Sequence, residues 1–229
     1  MQERELDGAV VVVTRSGRGF GHACARALGR AGATLIVVDP DSSAAAVVAS
    51  ELEAMGAQAI PIKADFAVQP EVTDTFEKVL AIFGSIAGLV HVADGVSHTA
   101  FKRLHSGEWS EMMDSHARST YLVLQNLVRH ARGAWGTVVL PPADSGEPQT
   151  RALRGAICGL VDGLSDLGVR VNAVQPSRAS GGADADALLG EAVLALATRA
   201  SRGVSGANLK VSLPALPDPL ESLPPEIFQ

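Results

Sequence analysis

The sequence predicts an α/β fold: an open, doubly wound parallel sheet of about seven strands with helices on both faces. Three observations predict it. Apolar runs of strand length recur along the chain, and they are continuous rather than alternating, as strands covered on both faces require. Segments of helical periodicity lie between them, and strand–helix–strand repeated with right-handed crossovers builds a doubly wound sheet. The length of 229 residues suits one domain spanning 1–229, and 47% apolar residues are enough for a large core.

The first strand is the valine run "AVVVVT" (9–14), which a Gly-rich turn joins to an amphipathic helix over 19–31. "TLIVVD" (34–39) and "QAIPIKA" (58–64) follow, and a helix over 70–83 leads to "GLVHVA" (88–93). The spacing then predicts a long helix over 107–131, the strand "GTVVL" (136–140) and a helix over 151–166. "VRVNAV" (169–174), a helix over 184–199 and "LKVSL" (209–213) complete the pattern. Only the Pro-rich tail, about 214–229, departs from globular composition and is expected to lie over the surface or against a neighbour.

Composition removes several function classes. The balance of 25 acidic to 19 basic residues gives a net charge of −6, and no block of Lys and Arg stands out, which argues against nucleic acid. Cys24 and Cys158 fall far apart in helical patterns without metal-ligand spacing, so they read as thiols of a reducing compartment, and no metal is expected. The start "MQERELDG" is charged and leads into a strand, unlike a signal peptide, and the longest apolar runs are too short for a membrane span. The expectation is a cytoplasmic protein with no membrane partner.

The turn "TRSGRGFGHACARALGRAGA" follows the first strand and opens a helix, where backbone can approach a pyrophosphate favoured by the helix N-terminus. Asp39 ends the second strand, where a carboxylate would bond ribose hydroxyls and repel a 2′-phosphate. With this context the chain resembles the short-chain dehydrogenase/reductase family, with a Rossmann-type sheet, from residue 7 to about residue 213. The family's T-G-x-x-x-G-x-G corresponds to Thr14, Arg15, Gly19 and Gly21, and its N-N-A-G to His91, Val92, Ala93 and Asp94. The resemblance makes Asp65 the adenine-contacting aspartate and likens "VRVNAVQPS" and "GVSGANLKV" to late family segments. It thus implies a dinucleotide site at Gly19, Gly21, Asp39 and Asp65. Arg15 replaces the turn's first glycine, where a Cβ fits badly. Gly17 offers a shifted turn, and Arg18 suits either a phosphate or solvent. Asp94 places a carboxylate where the family has a glycine beside the cofactor.

The resemblance implies a catalytic serine, tyrosine, lysine and asparagine, and it places them at Pro142, Thr150, Arg154 and His116. All four are changed. The one tyrosine, Tyr121, has Gln125 four residues later, and none of Lys63, Lys78, Lys102 and Lys210 follows a tyrosine at that spacing. A phenol near pKa 10 can be drawn toward neutrality by a cation, whereas a threonine alcohol cannot, and proline has neither hydroxyl nor N–H. His116, His91 and His98 are candidate replacement acids, though a helix histidine hydrogen-bonded to its surroundings is the favoured reading; Asp144 and Ser145 could pair with a histidine, and loop chemistry explains those two equally well. The segment "RASGGADADA" is short where family members carry a substrate-covering lid.

The expectation is therefore a catalytically inactive family member with a structural or regulatory role and either no cofactor or weak NAD. Its partner would be an active homologue such as a hydroxyacyl-CoA dehydrogenase, or a second copy, joined through helices near 107–131 and 151–166. The alternatives are an NAD(H)-dependent oxidoreductase rebuilt around His116 or His91, and a nucleotide or ligand sensor.

Overall fold

The computed structural model describes residues 4–95, 97–164, 166–178 and 182–212. Seven strands form one parallel sheet: β1 (Val10–Thr14), β2 (Thr34–Asp39), β3 (Gln58–Lys63), β4 (Gly88–Val92), β5 (Trp135–Val139), β6 (Arg170–Pro176) and β7 (Asn208–Val211). Their order is β3-β2-β1-β4-β5-β6-β7, so the direction of winding reverses between β1 and β4. Ligands of such sheets lie in the crevice beyond the C-terminal ends of the strands at this reversal. The Pro-rich tail lies outside the described residues.

Among the described residues seven α-helices cover the sheet: α1 (Gly19–Arg30), α2 (Ser42–Ala54), α3 (Gln69–Phe83), α4 (Ser106–Met112), α5 (Ser119–His130), α6 (Pro148–Gly163) and α7 (Ala183–Ala197). Strand residues alternate between two cores. Val11 and Val13 pack with α1, α2 and α7, around Phe20, Leu28 and Leu52. Val10 and Val12 pack with α3, α5 and α6, around Phe76, Leu127 and Ile157. Phe20 and Phe76 are fully buried, each contributing roughly 1.5–3 kcal/mol by leaving water. Helix α7 lies so close to α1 that a Cβ on Gly190 would stand 2.7 Å from the Ala23 carbonyl oxygen.

Two features differ from the sequence pattern. The segment before β3 is helical as α2, started by Asp41, whose carboxylate accepts the N–H groups of Ser43 and Ala44. Its Ala- and Val-rich sequence lacks a marked apolar stripe. The long helix expected over 107–131 is instead α4, a π-helical segment Met113–Arg118, and α5. A π turn frees carbonyls, and here the Ser119 and Thr120 hydroxyls donate to the Ser115 and His116 oxygens. No helix among the described residues is long and apolar enough to cross a membrane.

Candidate functional site

The crevice at the winding reversal begins where β1 runs into the turn 15–18. Arg15 takes φ +48°, left-handed backbone held by no other non-glycine among the described residues. A residue with a side chain thus holds backbone that favours glycine, at a strain of roughly 1–2 kcal/mol. Gly19 also has positive φ, and a Cβ on Gly21 would fall 2.2 Å from the Arg15 oxygen. Both glycines therefore shape the turn. Gly17 does not shift it; it tucks under α2, where a Cβ would sit 2.6 Å from that of Ala44.

Asp39 closes the other side. Its Oδ2 accepts the Gly17 N–H at 3.0 Å and its Oδ1 the Asp41 N–H at 3.0 Å, leaving further lone pairs toward the crevice. A cavity of about 610 Å³ lies between, lined by Arg15, Gly17, Arg18, Gly19, Asp39 and Asp94 among others. Asp65 is outside it. That exposed side chain accepts the Ala67 N–H at 2.9 Å and borders a separate space of only about 20 Å³, room for one water.

Across the cavity, Arg15 Nε lies 3.9 Å from Asp94 Oδ1. The two residues that the resemblance sets in place of glycines therefore meet each other, with opposite charge. Burial raises the Asp94 carboxyl above its ordinary range, while Arg15 and Arg18 pull it down again. A dinucleotide suits this crevice in part. The turn and Asp39 offer groups for phosphates and a ribose, but the half-buried Asp94 carboxylate opposes a second anion beside it.

Beneath the turn, His91 is locked in the core. Its Nδ1 is 2.9 Å from Thr14 Oγ1, which also accepts the Val92 N–H, and its Nε2 is 3.2 Å from Ser119 Oγ. One arrangement satisfies every group: Thr14 O–H donates to Nδ1, Nε2–H donates to Ser119, and Ser119 donates to a π-turn carbonyl. Burial, then His116 and Arg15, push the His91 pKa down to about 3, so the ring is neutral. Both nitrogens are used internally, and neither is left for a substrate.

The four positions implied for catalysis sit on three elements. His116 is buried in the π turn, its ring filling the space a side chain on Gly95 would need, since a Cβ there would be 1.7 Å from Nε2. Its Nδ1 has no partner among the described residues, and burial followed by Arg15 lowers its pKa to about 4. Thr150, on α6, is 0% exposed, and its hydroxyl also has no partner among the described residues. Arg154, one turn on, donates from Nη1 to the Pro142 carbonyl and from Nη2 to the Ser145 carbonyl at 3.3 Å. The guanidinium ties the loop after β5 to α6. Asp144 and His98 are exposed, and no histidine among the described residues hydrogen-bonds to Asp144 or Ser145. Pairing one with either residue gains no support.

Sequence reasoning missed Gln149, Ser119 and Gly95. Gln149 Nε2 donates to the Thr99 carbonyl at 2.8 Å, pinning the loop after β4 onto α6, while its Oε1 is buried without a partner. Ser119 meets His91 from 28 residues away and carries no local signal. Gly95, directly after Asp94, was the one a shift in register could have found. Among the described residues no cluster of His, Cys, Asp or Glu could hold a metal.

Comparison with known proteins agrees with this geometry. A family model described as short chain dehydrogenase matches residues 9–147. The short chain dehydrogenase claC of Passalora fulva is 34% identical over 126 residues, 55% of this chain and 47% of that protein. The chain thus spans about half the length of that relative. A hydroxysteroid dehydrogenase structure from Escherichia coli superposes with a TM-score of 0.83 at 21% identity, covering 93% of this chain and 99% of that one. A Burkholderia cenocepacia short chain dehydrogenase in complex with NADP gives 0.79 at 24% identity, over 91% and 98%.

Proposed function

This chain belongs to the short-chain dehydrogenase family, a family of oxidoreductases, and we propose that it serves within it as a subunit without dehydrogenase turnover of its own. One observation carries the reading. The position where the resemblance puts the acid/base is Thr150, whose hydroxyl is sealed from solvent and has no partner among the described residues. An alcohol so placed neither meets a substrate nor ionises near neutral pH. Arg154 keeps the positive charge of the expected lysine but spends its donors on loop carbonyls. General acid–base help of roughly 10²–10⁴ in rate then has no evident source.

The purified chain should show no turnover with NAD(H) or NADP(H) and hydroxyacyl-CoA esters, ketones or secondary alcohols. Steady turnover, abolished by His116→Ala, would overturn the reading in favour of a rebuilt site.

The second part of the reading is assembly with an active homologue, or with a second copy, through α5 and α6. Gly155, Gly159 and Gly163 leave open space on one side of α6, where another helix can approach closely. Tyr121 on α5 and Trp109 on α4 are partly exposed nearby in the chain. Co-purification with an intact homologue tests this part directly.

The cavity at the turn supports a subsidiary role, weak nucleotide binding without chemistry. Asp39 favours NAD(H), because a 2′-phosphate beside that carboxylate is repelled. Calorimetry that finds NADP(H) bound more tightly would show that Arg15 or Arg18 dominates the cavity instead.

A further inference from the structure

The N-terminal edge of the strands, opposite the crevice, carries a second concavity with a different charge. The N-terminal ends of β5 and β6, the loop before β4 and the end of α7 enclose a depression of about 860 Å³. Its lining includes Arg132, Arg170, Arg199, Arg202, Trp135 and Ser205, and no Asp or Glu. We propose that this depression binds a small, multiply charged phosphate-bearing anion.

The argument starts from charge. The chain is acidic, at −6, yet four arginines line this one depression, and none forms an ion pair among the described residues. Glu5 and Asp7 border an adjoining hollow that shares Arg199, but neither comes within ion-pair distance of it. Cations gathered without counter-charge repel one another; burial, and after it Arg202, lowers the pKa of Arg170. A bound anion relieves that repulsion.

The floor is preformed. Gly133 and Gly168 both turn with φ +78°, and the Gly133 N–H donates to the Gly168 carbonyl at 3.1 Å. The Arg170 N–H holds the Ala134 carbonyl at 3.1 Å, and its guanidinium is fixed by the Leu196 carbonyl at 2.7 Å. The Trp135 ring is braced against Gly88, where a Cβ would be 2.3 Å from it. Planar guanidinium forks match phosphate oxygens two at a time, and the volume lies in the range of small-molecule sites. A phosphate monoester or pyrophosphate can engage several forks at once, whereas a lone carboxylate can fill only one.

Trp135 reports on the site. The chain has two tryptophans, so Trp109→Phe leaves Trp135 as the sole emitter. That protein is titrated with sodium pyrophosphate against sodium chloride of equal ionic strength, following Trp135 emission and calorimetric heat. A saturable response to pyrophosphate alone is expected. Its midpoint should rise about tenfold or more in the Arg199→Gln/Arg202→Gln variant, and move less than about twofold in Arg15→Gln/Arg18→Gln at the other edge. Emission and heat that follow ionic strength only would overturn the proposal. So would a midpoint that the Arg199/Arg202 pair leaves unchanged, or one that the Arg15/Arg18 pair moves more. None of these outcomes bears on catalysis.

Discussion

At the scale of single residues, Arg15 and Asp94, 79 positions apart, pair across the crevice at 3.9 Å. Arg15 carries left-handed strain, so Arg15→Gly in an Asp94→Asn background, where no pair is lost, should raise stability by about 1 kcal/mol in urea unfolding. A loss there would mean that the Arg15 side chain stabilises the turn by some other contact. The buried histidines make a prediction about pH. His91 and His116 fall from an ordinary 6.5 to about 3 and about 4, so the unfolded chain takes up their protons first as pH drops. Their contribution is complete above pH 6.5 and lost as pH falls toward the folded values. From pH 7 to pH 5 the loss should be about 2 kcal/mol for each histidine, opposed in part by Asp94, whose raised carboxyl is protonated more readily when folded. His116→Asn should remove about half of the histidine-driven slope, and an unchanged slope would place the titration elsewhere.

At the scale of elements, α6 and the turn before α1 each depend on one group. Arg154→Ala removes both carbonyl ties of the loop after β5 and should cost about 1–2 kcal/mol, with Arg154→Lys recovering only part of it. Gly21→Ala should cost about 2–3 kcal/mol, because its Cβ meets backbone rather than a side chain that can move. Equal urea midpoints for either variant and the parent would refute these assignments. The strands were legible because valine-rich runs such as 10–13 can be buried on both faces only within a covered sheet. The helix α2 was less so, since Ala and Val occupy its outer positions as well. The π turn was hidden for a different reason: apolar spacing continues through it, and only the serine and threonine hydroxyls at 119 and 120 bear its mark. At the site, the changed residues could be read in sequence, but their new partners could not. Thr14, His91 and Ser119 meet through the packing of three elements, which no local pattern announces.

At the scale of the whole molecule, the proposed assembly predicts that Gly159→Arg leaves the monomer folded, because open space lies beyond that glycine, yet dissociates the complex. Sedimentation reads the dissociation and circular dichroism the fold; a chain that is monomeric before the change would rule out this contact. The order of the sheet has a consequence during synthesis on the ribosome. From β4 onward each strand joins the edge its predecessor left open: β5 on β4, β6 on β5, β7 on β6. Only β1 must wait, its second neighbour arriving at Gly88, after β2 and β3 have already extended the other side. Once that gap closes, a nascent chain meets its next template in the order in which it emerges, and the edge left open on the growing side is always the one about to be covered.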